Sequence, residues 1–214
     1  MLRIHSFTFN PFQENTYLII DENNKTIIID PGMYSPDEFD VFFNFIDQHK
    51  LIPELLLNTH THLDHVFGNA AVLKKFDIPY GFHLADKPVF DAASSAGAMY
   101  GMSFEKSPEP TYYLKEHENV QLGNHFLKIL LTPGHSPGSV CFYHEAQQFV
   151  ISGDVLFQMS IGRSDFPGGN YDTLMQSIHS QLMMLPGDTK VYSGHGPETS
   201  IGFEKMNNPF ITQR

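Results

Sequence analysis

The sequence predicts an α/β fold in which helices cover sheets rich in antiparallel pairing, on three observations. Apolar strand-like runs alternate with stretches of helical periodicity along the 214 residues. Several of those runs come as adjacent short pairs, which a purely parallel, doubly wound order does not allow. Four runs lead into histidine or aspartate set beside turn residues, so several loops gather at one edge of the sheets.

Residues 16–21 (TYLIID) and 25–30 (KTIIID) read as two strands joined by a turn at Glu22-Asn23-Asn24, and Asp30-Pro31-Gly32 ends the second. A helix follows. Ser35 caps it, Pro36 takes its first position and Glu38 completes a capping box, while Phe39, Phe42, Phe43 and Ile46 recur at helical spacing. That apolar face is ordinary core.

Residues 54–59 (ELLLNT) form the next strand, and one helix is expected through residues 65–76 (HVFGNAAVLKKF). In the second half, residues 125–132, 139–145 and 148–154 read as strands. Residues 171–185 read as a helix and residues 190–194 as a last strand. No Gly/Ser linker, low-complexity tract or repeat divides the chain, so residues 1–214 are expected to form a single domain.

The charge balance, 13 Lys+Arg against 24 Asp+Glu for a net charge of −11, argues against nucleic acid and anionic membranes as partners, since both require a basic footprint. The opening MLRIHSFTFNPF lacks the apolar stretch of a secretion signal. No run approaches the roughly 20 apolar residues that span a bilayer, and the expected location is cytoplasmic. Cys141 is the one cysteine. Within the strand-like SVCFY it reads as a small core residue, not a nucleophile.

Residues 55–70 (LLLNTHTHLDHVFGNA) crowd His60, His62, Asp64 and His65 directly after an apolar run. In an extended segment His60 and His62 share a side, because strand side chains alternate with a period of two. Asp64 and His65 then fall where the chain bends toward the following helix. Imidazole nitrogen with carboxylate oxygen suits Zn²⁺, Fe²⁺ or Mn²⁺ better than Ca²⁺ or Mg²⁺. A lone histidine after a strand is ordinarily a polar loop residue. Here His135 in TPGHSPGS, Asp154 in SGDVLF and His195 in SGHGPE end three further strands, and together the set offers seven N/O ligands.

This ordered set, with Asp30 in IIIDPG and the H-x-H-x-D-H signature at residues 60–65, resembles the metallo-β-lactamase superfamily. Within it the chain is similar to the short glyoxalase II-like (hydroxyacylglutathione hydrolase-like) proteins. The resemblance covers nearly the whole chain and implies a four-layer αββα sandwich. It implies two divalent transition-metal ions, Zn²⁺ before Fe or Mn. His60, His62 and His135 would hold one ion, Asp64, His65 and His195 the other, and Asp154 would bridge them. Asp30 would orient the histidine loop from behind. Two such ions sharing a water make it a nucleophile near neutral pH and polarise a substrate carbonyl. Asp64 would also orient that water or relay a proton, its expected catalytic part.

The expected reaction is hydrolysis of a small-molecule thioester, S-D-lactoylglutathione among the candidates. Longer glyoxalase II proteins add a C-terminal helical domain that completes the glutathione site. This chain ends at NNPFITQR soon after His195, so a protein without most of that domain is expected. Arg163, in SIGRSDFPGGN, is the candidate substrate cation, with pairing to Asp165 as its alternative. Residues 96–114 are expected to supply an adaptable apolar wall or lid through Met99, Tyr100, Met102 and Phe104. Two other readings stand beside hydrolysis: a mononuclear iron persulfide dioxygenase, because those relatives share a stretch like GRSDF, and a non-catalytic metal-binding module.

Overall fold

One strand shows why several apolar cores form. In β2 (Glu14–Ile20) every residue is buried, and alternation sends Tyr17 and Ile19 to one cluster but Leu18 and Ile20 to another. The computed structural model, which describes residues 1–212, sets this strand antiparallel between β1 (Arg3–Phe9) and β3 (Lys25–Ile29). Three parallel strands extend the sheet: β4 (Ile52–Leu57), β5 (Tyr80–His83) and β6 (Tyr112–Leu114).

The second sheet begins with four antiparallel strands, β7 (Asn119–Leu122), β8 (His125–Leu131), β9 (Val140–His144) and β10 (Phe149–Gly153). A small hairpin, β11 (Leu156–Phe157) with β12 (Ser160–Ile161), follows. The sheet is completed by β13 (Lys190–Ser193), parallel to β10, and β14 (Thr199–Ser200) at its edge.

Between the sheets, Ile19, Ile27, Ile29 and Leu57 meet Leu127, Ile129, Phe142 and Ile151. Outside the first sheet lie α1 (Pro36–Gln48), α3 (Asn69–Phe76) and α4 (Lys87–Met99), whose Phe42, Ile46, Val72 and Phe90 cover Leu18, Ile28, Leu56 and Phe82. Outside the second, α5 (Tyr171–Ser177) and α6 (Ile201–Asn207) bring Leu174 and Ile201 onto Cys141, Val150 and Val191. The four layers are the predicted αββα sandwich. Burying each such aliphatic side chain favours folding by about 1.5–3 kcal/mol, before the cost of ordering the chain.

The capping box of α1 forms as read: Ser35 Oγ accepts from the Glu38 amide, and the Glu38 carboxylate accepts from the Ser35 amide. Such a cap contributes about 1 kcal/mol. Three expectations need correction. The helix expected over residues 65–76 breaks into α2 (Leu63–Val66) and α3, because the Gly68 amide donates to Pro31 O and a side chain there would strike Pro31 and Met33. The strand expected over residues 54–59 stops at Leu57, which leaves His60 and His62 in the loop beyond it, and Asp64, expected at the bend, sits with His65 on α2. The helix from Tyr171 passes after Ser177 into a wider π turn, Ile178–Leu182.

Among the described residues no helix is long and apolar enough to cross a membrane.

Candidate metal centre

Strand direction gathers the site. β3, β4, β8, β10 and β13 all run toward one edge of the sandwich, where they deliver Asp30, the loop 58–62 with α2, His135, Asp154 and His195. The sheets are tied together there. The Asn15 amide donates to Gly194 O at 2.7 Å, the Tyr17 hydroxyl to Ser193 O at 2.6 Å, and the Val140 amide to Thr59 O at 2.9 Å. Glycine is required at 194, since a Cβ would fall on Asp154 Oδ1 and against His65 Cε1.

All seven sequence-predicted candidate ligands come together. Nε2 of His135 lies 2.8 Å from His62 Nδ1 and 3.2 Å from His60 Nε2, which makes one trio. His195 Nε2 lies 3.3 Å from Asp64 Oδ2, and His65 Nε2 lies 3.8 Å from the same oxygen, which makes a second. Asp154 stands between them: Oδ1 is 3.5 Å from His65 Nε2, and Oδ2 is 3.5 Å from both His135 Nε2 and His195 Nε2.

The other ring nitrogen of four histidines is already engaged, which turns Nε2 into the cluster. His65 Nδ1 donates to Asp30 Oδ2 at 3.0 Å, His135 Nδ1 to Arg163 O at 2.7 Å, and His195 Nδ1 to Phe12 O at 3.0 Å. His60 Nδ1 donates to Thr59 Oγ1 at 3.1 Å, and that hydroxyl donates onward to Asp30 Oδ2 at 2.6 Å. Such partners fix tautomer and ring orientation in metal sites.

Asp30 thus lies behind the histidine loop, with His65 and Thr59 on Oδ2 and the Thr59 amide on Oδ1 at 2.7 Å. Although Asp30, His60 and His65 also lie close together, these bonds occupy its oxygens, so a third metal group there is disfavoured. Asp30 is held at φ 50°, an uncommon conformation for a non-glycine residue.

Charge separates the two trios. Burial pushes His60 well below the usual imidazole range, with His65, His135 and His62 acting in the same sense, and burial lowers His62 to about 3. Burial also opposes charge on His65, but Asp154, Asp64 and Asp30 outweigh it and hold His65 well above that range. His195 reaches about 10 because hydrogen bonds to Asp154 and Asp64 outweigh its burial. Against their own burial, His65 and His195 hold Asp154 well below the carboxylate range and lower Asp64.

The donor set fits divalent transition-metal ions. His65 Nε2 and Asp154 Oδ1 are buried and face the cluster without a hydrogen-bond partner, a costly arrangement unless something else engages them.

Arg163 is at the rim, 64% exposed, where it pairs with Asp165 at 2.8 Å and lies over Phe166 at 4.3 Å. Phe166 in turn contacts His62, ring centroids 5.1 Å apart. In the expected lid, Ala96 to Met99 belong to α4. Phe104 packs on Phe67 at 4.8 Å, and Tyr100 meets Phe12 edge-on at 5.7 Å. These four rings form one cluster, which joins His195 through the Phe12 carbonyl. A cavity of about 300 Å³ lies beyond Phe67, lined also by Met33, Phe39 and Phe43, and none of the candidate ligands lines it.

Sequence reasoning missed Thr59, Glu14 and Asp86. Glu14 Oε1 is buried 3.9 Å from His65 Nδ1, and burial holds its carboxyl well above the usual range. Asp86 is wholly buried behind the first trio. Their contacts span distant parts of the chain, so no local motif announces them.

Comparison with known proteins bears on the fold and the family. The sequence profile of the metallo-beta-lactamase superfamily matches residues 9–195. The probable metallo-hydrolase YqgX of Bacillus subtilis is 41% identical over 202 residues, covering 94% of this chain and 93% of its own length. The hydroxyacylglutathione hydrolase GloC of Haemophilus influenzae is 34% identical, with complete coverage of both chains. The crystal structure of the B3 metallo-beta-lactamase BLEG-1 superposes with a TM-score of 0.91 at 33% identity, over 99% of this chain and 100% of that one. TTHA1623, solved in a di-iron-bound form, gives 0.87 at 37% identity, over 96% and 99%.

Proposed function

The chain belongs to the metallo-beta-lactamase superfamily, and from its site we propose that it is a binuclear metal-dependent hydrolase of thioesters, glutathione thioesters included. His60, His62 and His135 hold one ion, Asp64, His65 and His195 the other, and Asp154 is shared. The carrying observation is the convergence of four Nε2 atoms whose opposite nitrogens are already bonded, together with the unpartnered His65 Nε2 and Asp154 Oδ1. Divalent ions bound there supply Lewis acidity toward a carbonyl and a nucleophile drawn from water at neutral pH.

The protein's own groups do the rest. Asp64, 13% exposed and beside His195, is the carboxylate placed to orient a water or accept its proton. Phe12, Phe67, Phe104 and Tyr100 offer an apolar wall to one end of the substrate, and Phe166 with Arg163 borders the other. No protein nucleophile is required. GloC supports a thioester as substrate through its name and full-length match. BLEG-1 makes the β-lactam ring the competing substrate.

The test is anaerobic purification, elemental analysis, then parallel assays of S-D-lactoylglutathione cleavage, β-lactam cleavage and thiol-dependent O₂ uptake. Two ions per chain with thioester cleavage is the expected result. One iron with O₂ uptake replaces the proposal with a persulfide dioxygenase. β-Lactam cleavage without thioester cleavage replaces the substrate, and metal without any turnover leaves a binding module.

A further inference from the structure

His60 is flanked by two threonines, and each is gripped by a different buried carboxylate. Thr59 donates its amide and hydroxyl to Asp30, at 2.7 and 2.6 Å. Thr61 does the same toward Asp86 Oδ2, at 2.5 and 2.8 Å. Asp86 closes the three-residue turn Leu84–Asp86 that leads into α4. Its other oxygen, Oδ1, faces the loop after β8: it accepts from the Ser136 hydroxyl and, at 2.9 Å, from the Gly138 amide. Four donors from two loops therefore fill the acceptor sites of one fully buried carboxylate.

Those two loops are the ones that carry the first trio. Thr61 sits between His60 and His62, and Ser136 follows His135. The trio's nitrogens stand only 2.8 and 3.2 Å apart, close enough that a proton or an ion must lie among them to keep their lone pairs from repelling. One such contact is a weak tie between two loops, whereas Asp86 joins the same loops from behind through four hydrogen bonds. The fit is close on the far side too, since a Cβ at Gly138 would collide with the Asp86 backbone and Cβ.

We propose that Asp86 is a positioning residue that locks the His60–His62 loop to the His135 loop and so presets the first metal trio before any ion arrives. Asp30 grips the other flank of His60 through Thr59 and also holds His65, so Asp86 serves the first trio alone while Asp30 touches both. The inference rests on the metal centre proposed above and is independent of which substrate is cleaved.

Replacing Asp86 by Asn sets an NH₂ against donors on one of the two loops and uncouples them. The probe is Zn²⁺ titrated into metal-free protein against a chromophoric chelator. It is read in a His195→Ala background, where only the first trio is complete, and in a His62→Ala background, where only the second is. Asp86→Asn should weaken the first by about 10–100-fold and change the second by less than about threefold. In metal-free protein the Thr61 or Gly138 amide should exchange faster.

Glu204→Gln is the control, because Glu204 is equally buried but serves Met159, Thr199 and Asn208. It should lower the melting temperature without moving either affinity. Should Asp86→Asn not fold, Thr61→Val and Ser136→Ala test the two halves of the clamp, and Thr61→Ser should restore what Thr61→Val loses. Unchanged first-trio affinity in the folded variants overturns the proposal, as does an equal loss at both trios. A native protein that binds no ion removes the metal centre and this role with it.

Discussion

Asp30 and His65 are joined by a 3.0 Å hydrogen bond between Oδ2 and Nδ1, and both groups are buried. The same oxygen takes the Thr59 hydroxyl that in turn receives His60 Nδ1. One carboxylate therefore sets the orientation of a histidine in each trio, directly for His65 and through a hydroxyl for His60.

Asp30→Asn should accordingly weaken the second trio more than the first. An amide NH₂ cannot accept from His65 Nδ1, so His65 is freed to hold its proton on Nε2, the atom that faces Asp154. The expected loss is about 10–100-fold in affinity at the second trio, with a smaller loss at the first. Chelator competition in the single-trio backgrounds measures both, and an unchanged second trio contradicts the assignment.

Asp154 and Asp64 should part company on metal content. Asp154 reaches His65, His135 and His195 at 3.5 Å, whereas Asp64 approaches only His65 and His195. Elemental analysis of Asp154→Ala should find both ions depleted, and of Asp64→Ala chiefly one. Equal depletion in the two variants refutes the bridging place given to Asp154.

Cys141 should be silent in catalysis and legible in stability. Burial pushes its thiol up to about 12, with Thr132 opposing. In the unfolded chain the thiol ionises first, so its contribution to stability is intact below pH about 9 and is lost as pH rises from there toward about 12. Denaturant midpoints of the native protein should therefore fall more steeply across that window than those of Cys141→Ala. The variant should cost on the order of 1 kcal/mol at neutral pH and keep its hydrolysis. Loss of hydrolysis with metal retained would show a thiol nucleophile.

How much of this was legible in the sequence depended on the range of the forces involved. Alternation in β2 and β3 and the Ser35–Glu38 box are local, and they were readable. So was the ordered set of seven candidate ligands, because four follow β4 within a six-residue stretch and the other three each follow a strand of their own. β1 was missed: Phe7 and Phe9 do face one core, but His5 precedes them on that face and Ser6 and Thr8 are exposed on the other, so the apolar run is short. β5 and β6 are four and three residues long and exist by pairing with distant neighbours. The break at Gly68 depends on Pro31 and Met33. Asp86 bonds residues 25, 50 and 52 positions away, and in the sequence it is one aspartate among many.

Arg163 bears on substrate choice. Its guanidinium is bound side-on by Asp165, at 2.9 and 2.8 Å, and rests on Phe166, so its charge is already paired and a glutathione carboxylate meets only the N–H groups that Asp165 leaves open. Its backbone carbonyl, not its charge, serves the site by receiving His135 Nδ1. Removing the side chain should therefore leave that carbonyl in place and spare the metal trio. Contacts made equally in ground and transition states act on KM more than on kcat. Arg163→Ala is expected to raise KM for S-lactoylglutathione by no more than about threefold and to leave kcat near its native value. The native protein should in turn prefer S-lactoylglutathione over a lactoyl thioester of a short neutral thiol by less than about tenfold in kcat/KM, at equal metal loading. A preference above about a thousandfold, abolished by Arg163→Ala, would mean that Arg163 is a dedicated glutathione contact after all.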